Sequence, residues 1–150
     1  MMKRKDFYTF PAIVSYDDDG IGIEFPDIAG CFSCVELGSE DIPHRIIHNA
    51  QEALALHLYN MEDEGETIPD PSDILSIPHD ENQAVVLVDV SMPPVRERMR
   101  NKSINKMCTV PAWLVKEAET QHFSFSQILQ EGLMEKLGIT RTSKRKSTSR

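Results

Sequence analysis

Residues 7–26, FYTFPAIVSYDDDGIGIEFP, read as two strands and the turn that joins them. FYTFPAIVSY (7–16) and IGIEFP (21–26) are rich in aromatic and β-branched residues, which fit a pleated, half-buried surface. The DDDG between them can be read in two ways. Asp17, Asp18 and Asp19, with Glu24 and Asp27 close behind, supply enough carboxylates for a divalent-metal nuclease. Such a site needs carboxylates converging from several elements on metals about 4 Å apart, whereas three consecutive side chains at a loop tip diverge. Small polar residues that tolerate unusual backbone angles are what an Asp-Gly hairpin turn requires, so the turn is the better reading.

Working outward, Cys31–Val35 continues as a third strand after the break at Gly30, and Val85–Val90 reads as a fourth. Between them Ile46, Ile47, Ala50, Leu54, Leu58 and Met61 recur at helical spacing. Acids at Glu40 and Asp41 precede this helix, Pro43 suits its first turn and Gly65 ends it. Residues 66–84 are loop. The order β-β-β-α-β predicts an α+β fold, a small antiparallel-type sheet with one long helix. A first domain is expected over residues 1–92, followed by a linker at 93–100 that opens with Pro93-Pro94.

Past the linker a compact pattern spans 101–139. A short strand is expected over Ser103–Val110, a helix opening at Pro111, a break at His122–Ser124 and a second helix to Leu137. Ser124 followed by Gln127 has the form of a capping box, and Gly138 is a natural stop. Residues 140–150 are basic, have no strongly apolar member, and are expected to be disordered.

Charge divides the chain at the same place. Residues 1–95 hold 4 Lys+Arg against 19 Asp+Glu, net −15; residues 96–150 hold 12 against 5, net +7. That asymmetry points to partners of opposite charge, with nucleic acid for the basic end; two merely solvated faces are the bland alternative. No apolar run reaches the roughly 20 residues of a membrane helix and the N-terminus lacks a signal-peptide pattern, so no membrane partner and a cytoplasmic location are expected. Three cysteines, Cys31, Cys34 and Cys108, are too few for a disulfide framework.

Other motifs carry little chemistry. HRIIH (44–48) spaces two histidines one helical turn apart as zinc proteases do, but Arg45 stands where the general base belongs. CFSC (31–34) places its sulfurs on opposite faces of a strand and has no second pair for a zinc site. There is no phosphate-cradling glycine loop and no nucleophile elbow. No catalytic residue, metal or cofactor is expected.

The 101–139 segment has too little core to stand alone. Two copies would solve this by pairing their strands and interlocking their helices, which makes a homodimer with Cys108, Val110, Ile128, Leu129 and Leu133 in its interface. In SINKMCTV (103–110), Ile104, Cys108 and Val110 share one face, with Lys106 breaking its pattern, and Asn105, Met107 and Thr109 the other. A paired ribbon of this kind fits a DNA major groove. Asn105, Met107 and Thr109 are then the base-reading candidates, with Ser124, Phe125 and Ser126 at a helix N-terminus suited to a phosphate.

KMCTVPAWL (106–114) followed by FSFSQILQEGL (123–133) resembles the ribbon-helix-helix DNA-binding domain found on one branch of the HicB antitoxins. FPAIVSYDDDGIGIEFPDIAGCFSCVELG (10–38), NAQEALALHL (49–58) and IPDPS (68–72) are similar to the same family's N-terminal part. The resemblance implies a degenerate ribonuclease H-like domain without nuclease carboxylates. It further implies binding of a HicA-type toxin, a small basic ribonuclease, and repression of the operon through operator DNA, with a higher heteromeric assembly as a further expectation. The residues alone leave two rivals: a metal-dependent nuclease using Asp17, Asp19, Glu24 or Asp27, and a ligand-sensing repressor.

Overall fold

The structure is a computed structural model and describes residues 4–140. Most of the basic tail expected at 140–150 lies outside the described residues. Two compact units divide between Ser103 and Ile104. In the first, strands β1 (Phe7–Asp17), β2 (Gly20–Glu24), β3 (Phe32–Val35) and β4 (Gln83–Ser91) form an antiparallel sheet in the order β3-β2-β1-β4. Helix α1 (Ile42–Glu64) lies between β3 and β4 in the chain, and helix α2 (Met92–Arg100) follows β4 directly. The fold is α+β, as the β-β-β-α-β pattern indicated.

At the hairpin tip Asp17 pairs with Gly20, leaving Asp18 and Asp19 as the loop. None of these residues has a positive φ. The expectation of an Asp-Gly turn with unusual backbone angles is therefore corrected: the glycine opens β2 and the two loop residues keep ordinary conformations.

Strand alternation sorts the sheet into an inner and an outer face. Tyr8, Phe10, Ala12 and Val14 of β1, Ile21 and Ile23 of β2, and Val88 and Val90 of β4 are buried, together with Ile46, Ala50, Leu54 and Leu58 of α1. The helical set recurs every four residues, the spacing of one buried stripe. Ile47 was expected in that stripe; it sits about 100° round the helix from Ile46 and is exposed. Full burial of Leu54 or Leu58 stabilises by about 2–3 kcal/mol relative to exposure. The helix also holds both edge strands by polar contacts. The Asn49 side-chain amide donates to the Cys34 carbonyl on β3 at 2.9 Å, and that of Gln51 to the Asp89 carbonyl on β4 at 3.1 Å.

Proline is unusual inside a central strand because it cannot donate to the ladder. Pro11 of β1 escapes the penalty. The Tyr16 N–H donates to the Asn82 carbonyl on the β4 side, so even-numbered residues of β1 bond toward β4 and Pro11 faces the other way. On that side the pairing with β2 begins only at Ile13.

Residues 93–100 were expected as a linker; they form most of α2 instead. Two prolines at its start are compatible with a first helical turn, where the missing N–H had no partner to lose. Met92 and Val95 are buried in the core and Met99 packs against it. Arg96 fastens the helix down. Its Nε and Nη2 donate to Glu62 Oε2 and Oε1 of α1 at 2.9 and 2.7 Å, its Nη1 to Asp6 Oδ1 at 3.1 Å, and its Nη2 to the Lys5 carbonyl at 2.6 Å. The paired carboxylates hold the Arg96 guanidinium pKa above its already high ordinary value, chiefly through the Glu62 hydrogen bonds.

The second unit contains helices α3 (Ala112–Thr120) and α4 (Phe125–Leu137). Between them His122 has φ 56°, a left-handed kink in place of a helical residue. The Ser124 side chain accepts from the Gln127 N–H at 3.4 Å, one half of the anticipated capping box, and Gly138 closes α4 with φ 67°. The strand expected over Ser103–Val110 is absent from the single chain: residues 102–111 carry no regular secondary structure. A strand exists only with a partner to bond, and no other strand is described in this unit.

Candidate functional site

Two surfaces carry the functional candidates, one on each unit. In the second unit every described residue is at least partly exposed, and Ile104, Trp113, Phe123, Ile128 and Leu133 are among its exposed large apolar side chains. Its apolar residues surround an open groove of about 720 Å³. Cys108 and Val110 line it from the N-terminal segment, Ile128 and Leu129 from α4, and Leu114 and Val115 from α3. Four of the five residues expected in a dimer interface therefore meet at one place. Leu133, the fifth, is exposed on α4 outside that lining.

Lys106 also lines the groove, so residues 106, 108 and 110 of the segment share the groove side. Asn105, Met107 and Thr109 are exposed and not among the lining residues. Met107, 98% exposed, has almost no contact within its own chain. The candidate DNA residues do not all gather. Phe125 and Ser126 line the groove beside the dimer set, while Ser124 is engaged as the cap of α4.

On the first unit the carboxylates at the hairpin do not converge. Asp27 accepts from the Ser72 N–H at 2.9 Å and from the Ser72 hydroxyl, pinning the loop after α1. Asp17 Oδ1 accepts from Asn82 Nδ2 at 3.0 Å. Among the described residues no three His, Cys, Asp or Glu side chains gather as a metal site. His44 and His48 stack on one flank of α1 with ring centroids 6.0 Å apart. Cys31 is buried and Cys34 exposed, both free thiols on opposite sides of the strand region. Burial raises the Cys31 thiol pKa to about 11. Among the described residues no helix is long and apolar enough to cross a membrane.

Sequence reasoning missed the Arg96–Glu62–Asp6 cluster. Its only sequence signal was an Arg three residues beyond Pro93, which charge counting assigned to the basic half.

A family model described as the HicB_like antitoxin of bacterial toxin-antitoxin systems matches residues 10–131. A 14.9 kDa protein from the rep-hol intergenic region of Haemophilus phage HP1 is 28% identical over 109 residues, 71% of this chain and 75% of that one. Among solved structures, a toxin-antitoxin complex from Streptococcus pneumoniae contains a chain 24% identical, covering 87% of this chain and 99% of that one with a TM-score of 0.53. That likeness shows the shared fold. The Burkholderia pseudomallei antitoxin HicB is 22% identical over 87% of this chain and 98% of its own, with a TM-score of 0.49.

Proposed function

The chain belongs to the HicB-like antitoxin family of bacterial toxin-antitoxin systems, and from that premise we propose that it neutralises a HicA-type toxin ribonuclease and represses its own operon on operator DNA. The first unit is the toxin-binding part, a degenerate ribonuclease H-like domain that acts by covering its partner rather than by catalysis. Carboxylates that a nuclease would present to metal are diverted here: Asp27 to Ser72 and Asp17 to Asn82. The second unit is a ribbon-helix-helix module acting as a homodimer, with the protein working in the cytoplasm.

The observation that carries this reading is the contrast between the units. The first closes its own core around Phe10, Leu54 and Leu58 within a stretch of net charge −15. The second, in a stretch of net charge +7, leaves its apolar groove open and its N-terminal segment without a strand partner. A unit of this size cannot bury enough surface by itself. A second copy supplies both the missing strand and a cover for the groove, and the paired segments then present Asn105, Met107 and Thr109 on the outside.

Co-expression with a cognate HicA-type toxin tests the first half. Growth should be restored by this chain, and continued arrest with the chain folded and abundant would refute it. Gel-shift titration on DNA upstream of this chain's own reading frame tests the second half, and a metal-dependent cleavage assay on the pure chain distinguishes the nuclease alternative.

A further inference from the structure

The four strands of the first unit contain no Lys or Arg, and their three acids, Asp17, Glu24 and Asp89, all fall on one side. Pairing register shows which side. Ile13 stands opposite Glu24 and Val85, and Glu24 opposite Phe32, so Phe32, Glu24, Ile13 and Val85 make one row across all four strands. Pro11–Leu87, Thr9–Asp89 and Phe7–Ser91 continue it along β1 and β4. These residues, of which Pro11 alone is fully buried, alternate with the set of Phe10, Ala12, Val14 and Val88 that packs with α1. The row and its continuation therefore belong to the outer face of the sheet.

That face is apolar where it is open to solvent. Phe32 is 71% exposed, Phe7 70% and Leu87 55%. Scattered apolar side chains on a surface need no explanation, but large ones on a single sheet face whose only charged strand residues are acids mark an interaction surface. The hairpin tip adds Asp18 and Asp19, both exposed, at its end. The outward flank of α1, by contrast, is mixed in charge: Arg45 and Glu52 lie on it, and Arg98 of α2 pairs with Glu52 at 3.2 Å.

We propose that the outer face of the sheet, centred on Phe32, Leu87 and Phe7 with Glu24, Asp89 and Asp17 around them, is the surface on which the toxin docks. The inference rests on the antitoxin reading above and names its site. Charge complementarity selects the occupant: a protein presenting Lys and Arg around an apolar centre. Aromatic and aliphatic side chains at the middle hold such a complex together, and the acids accelerate and orient its encounter. Nucleic acid is excluded as an occupant by the same acids, and a second copy of this face would bring them against each other.

The test uses the full chain and a purified cognate HicA-type toxin, with affinity measured by calorimetry. Phe32→Asp/Leu87→Asp and Glu24→Lys/Asp89→Lys change exposed side chains only, and thermal unfolding should match the parent. Each double variant is expected to weaken binding at least tenfold, the charge reversal with a flatter dependence on salt. Leu56→Asp, an exposed apolar position on α1, should stay within twofold. Parental affinity in both double variants overturns the docking face while leaving the antitoxin reading intact. A drop in the mass of the free chain caused by either variant also overturns it, because the face would then be a contact between copies. If the parent chain itself fails to bind the toxin, the antitoxin reading falls and the docking face with it.

Discussion

Cutting the chain after Met92, where the sequence places the end of the first domain, should cost most of its stability, whereas cutting after Ser103 should not. The shorter fragment loses α2. Val95 is buried and Met99 packs against the core; their contributions are about 1.5 and about 1 kcal/mol. Glu62 fares worse. Its side chain is 5% exposed with Arg96 lying over it, so removal of α2 forfeits a two-pronged charge-assisted pair, at about 3 kcal/mol. The total is roughly 5 kcal/mol, close to the whole stability of a typical domain of this size. Urea unfolding of the two fragments, followed by circular dichroism at pH 7, reads this directly. With a slope of about 1.5 kcal/mol per molar urea, residues 1–92 should unfold about 3 M earlier than 1–103 or fail to fold. Arg96→Met in the longer fragment should reproduce about half of the loss, and adding Glu62→Gln should recover much of it, because an amide without a partner costs less than a charge. Coincident midpoints for the two fragments would refute the reasoning and return 93–100 to the status of a linker.

Three further outcomes are expected. Asn105→Ala or Thr109→Ala should weaken operator binding by about 1–3 kcal/mol with little effect on random DNA, measured by fluorescence anisotropy, whereas deleting 141–150 should weaken both alike and flatten the salt slope. Ile128→Asp should melt the second unit and reduce the particle mass seen by light scattering, since on the proposed reading folding and association there are linked; a dimer that survives moves the interface elsewhere. Thiol labelling at pH 8 should modify Cys34 quickly and Cys31 slowly, because a thiol whose pKa is raised to about 11 carries almost no thiolate at that pH, and Cys108 should change from fast to slow as dilute chain is concentrated into dimers.

What was legible in the sequence was what local patterning governs. The β-β-β-α-β order, the helix stop at Gly65 and the Ser124 cap each depend on a few neighbouring residues, and each is found in the structure. What was not legible depends on groups distant in sequence. RERMR looks like a charged linker until Arg96 meets Glu62, 34 residues away, and Asp6, 90 residues away. Pro11 is out of place in a central strand until the register shows that the pairing of β1 with β2 begins only at Ile13. Ile47 looks like a core residue because a helical window wide enough to hold Ile46 also admits its neighbour. The candidate site divides in the same way. Alternation in SINKMCTV sets 106, 108 and 110 apart from 105, 107 and 109, whereas the sequence separated Phe125 and Ser126 from the dimer set and the groove brings them to it.

On the proposed reading, the same division sets the order in which the two activities fail as the protein becomes scarce. The first unit has its core within one chain, so its hold on a partner falls only in proportion to its concentration. The second gains its strand and the cover of its groove only by association, so the amount able to read DNA falls as the square of the free chain once dissociation begins. Degradation or dilution of the antitoxin would therefore release the operator before it releases the toxin. The operon would then resume synthesis of the inhibitor while toxin is still covered, an order that the proposed reading draws from a groove of about 720 Å³ open on one unit and a closed core on the other.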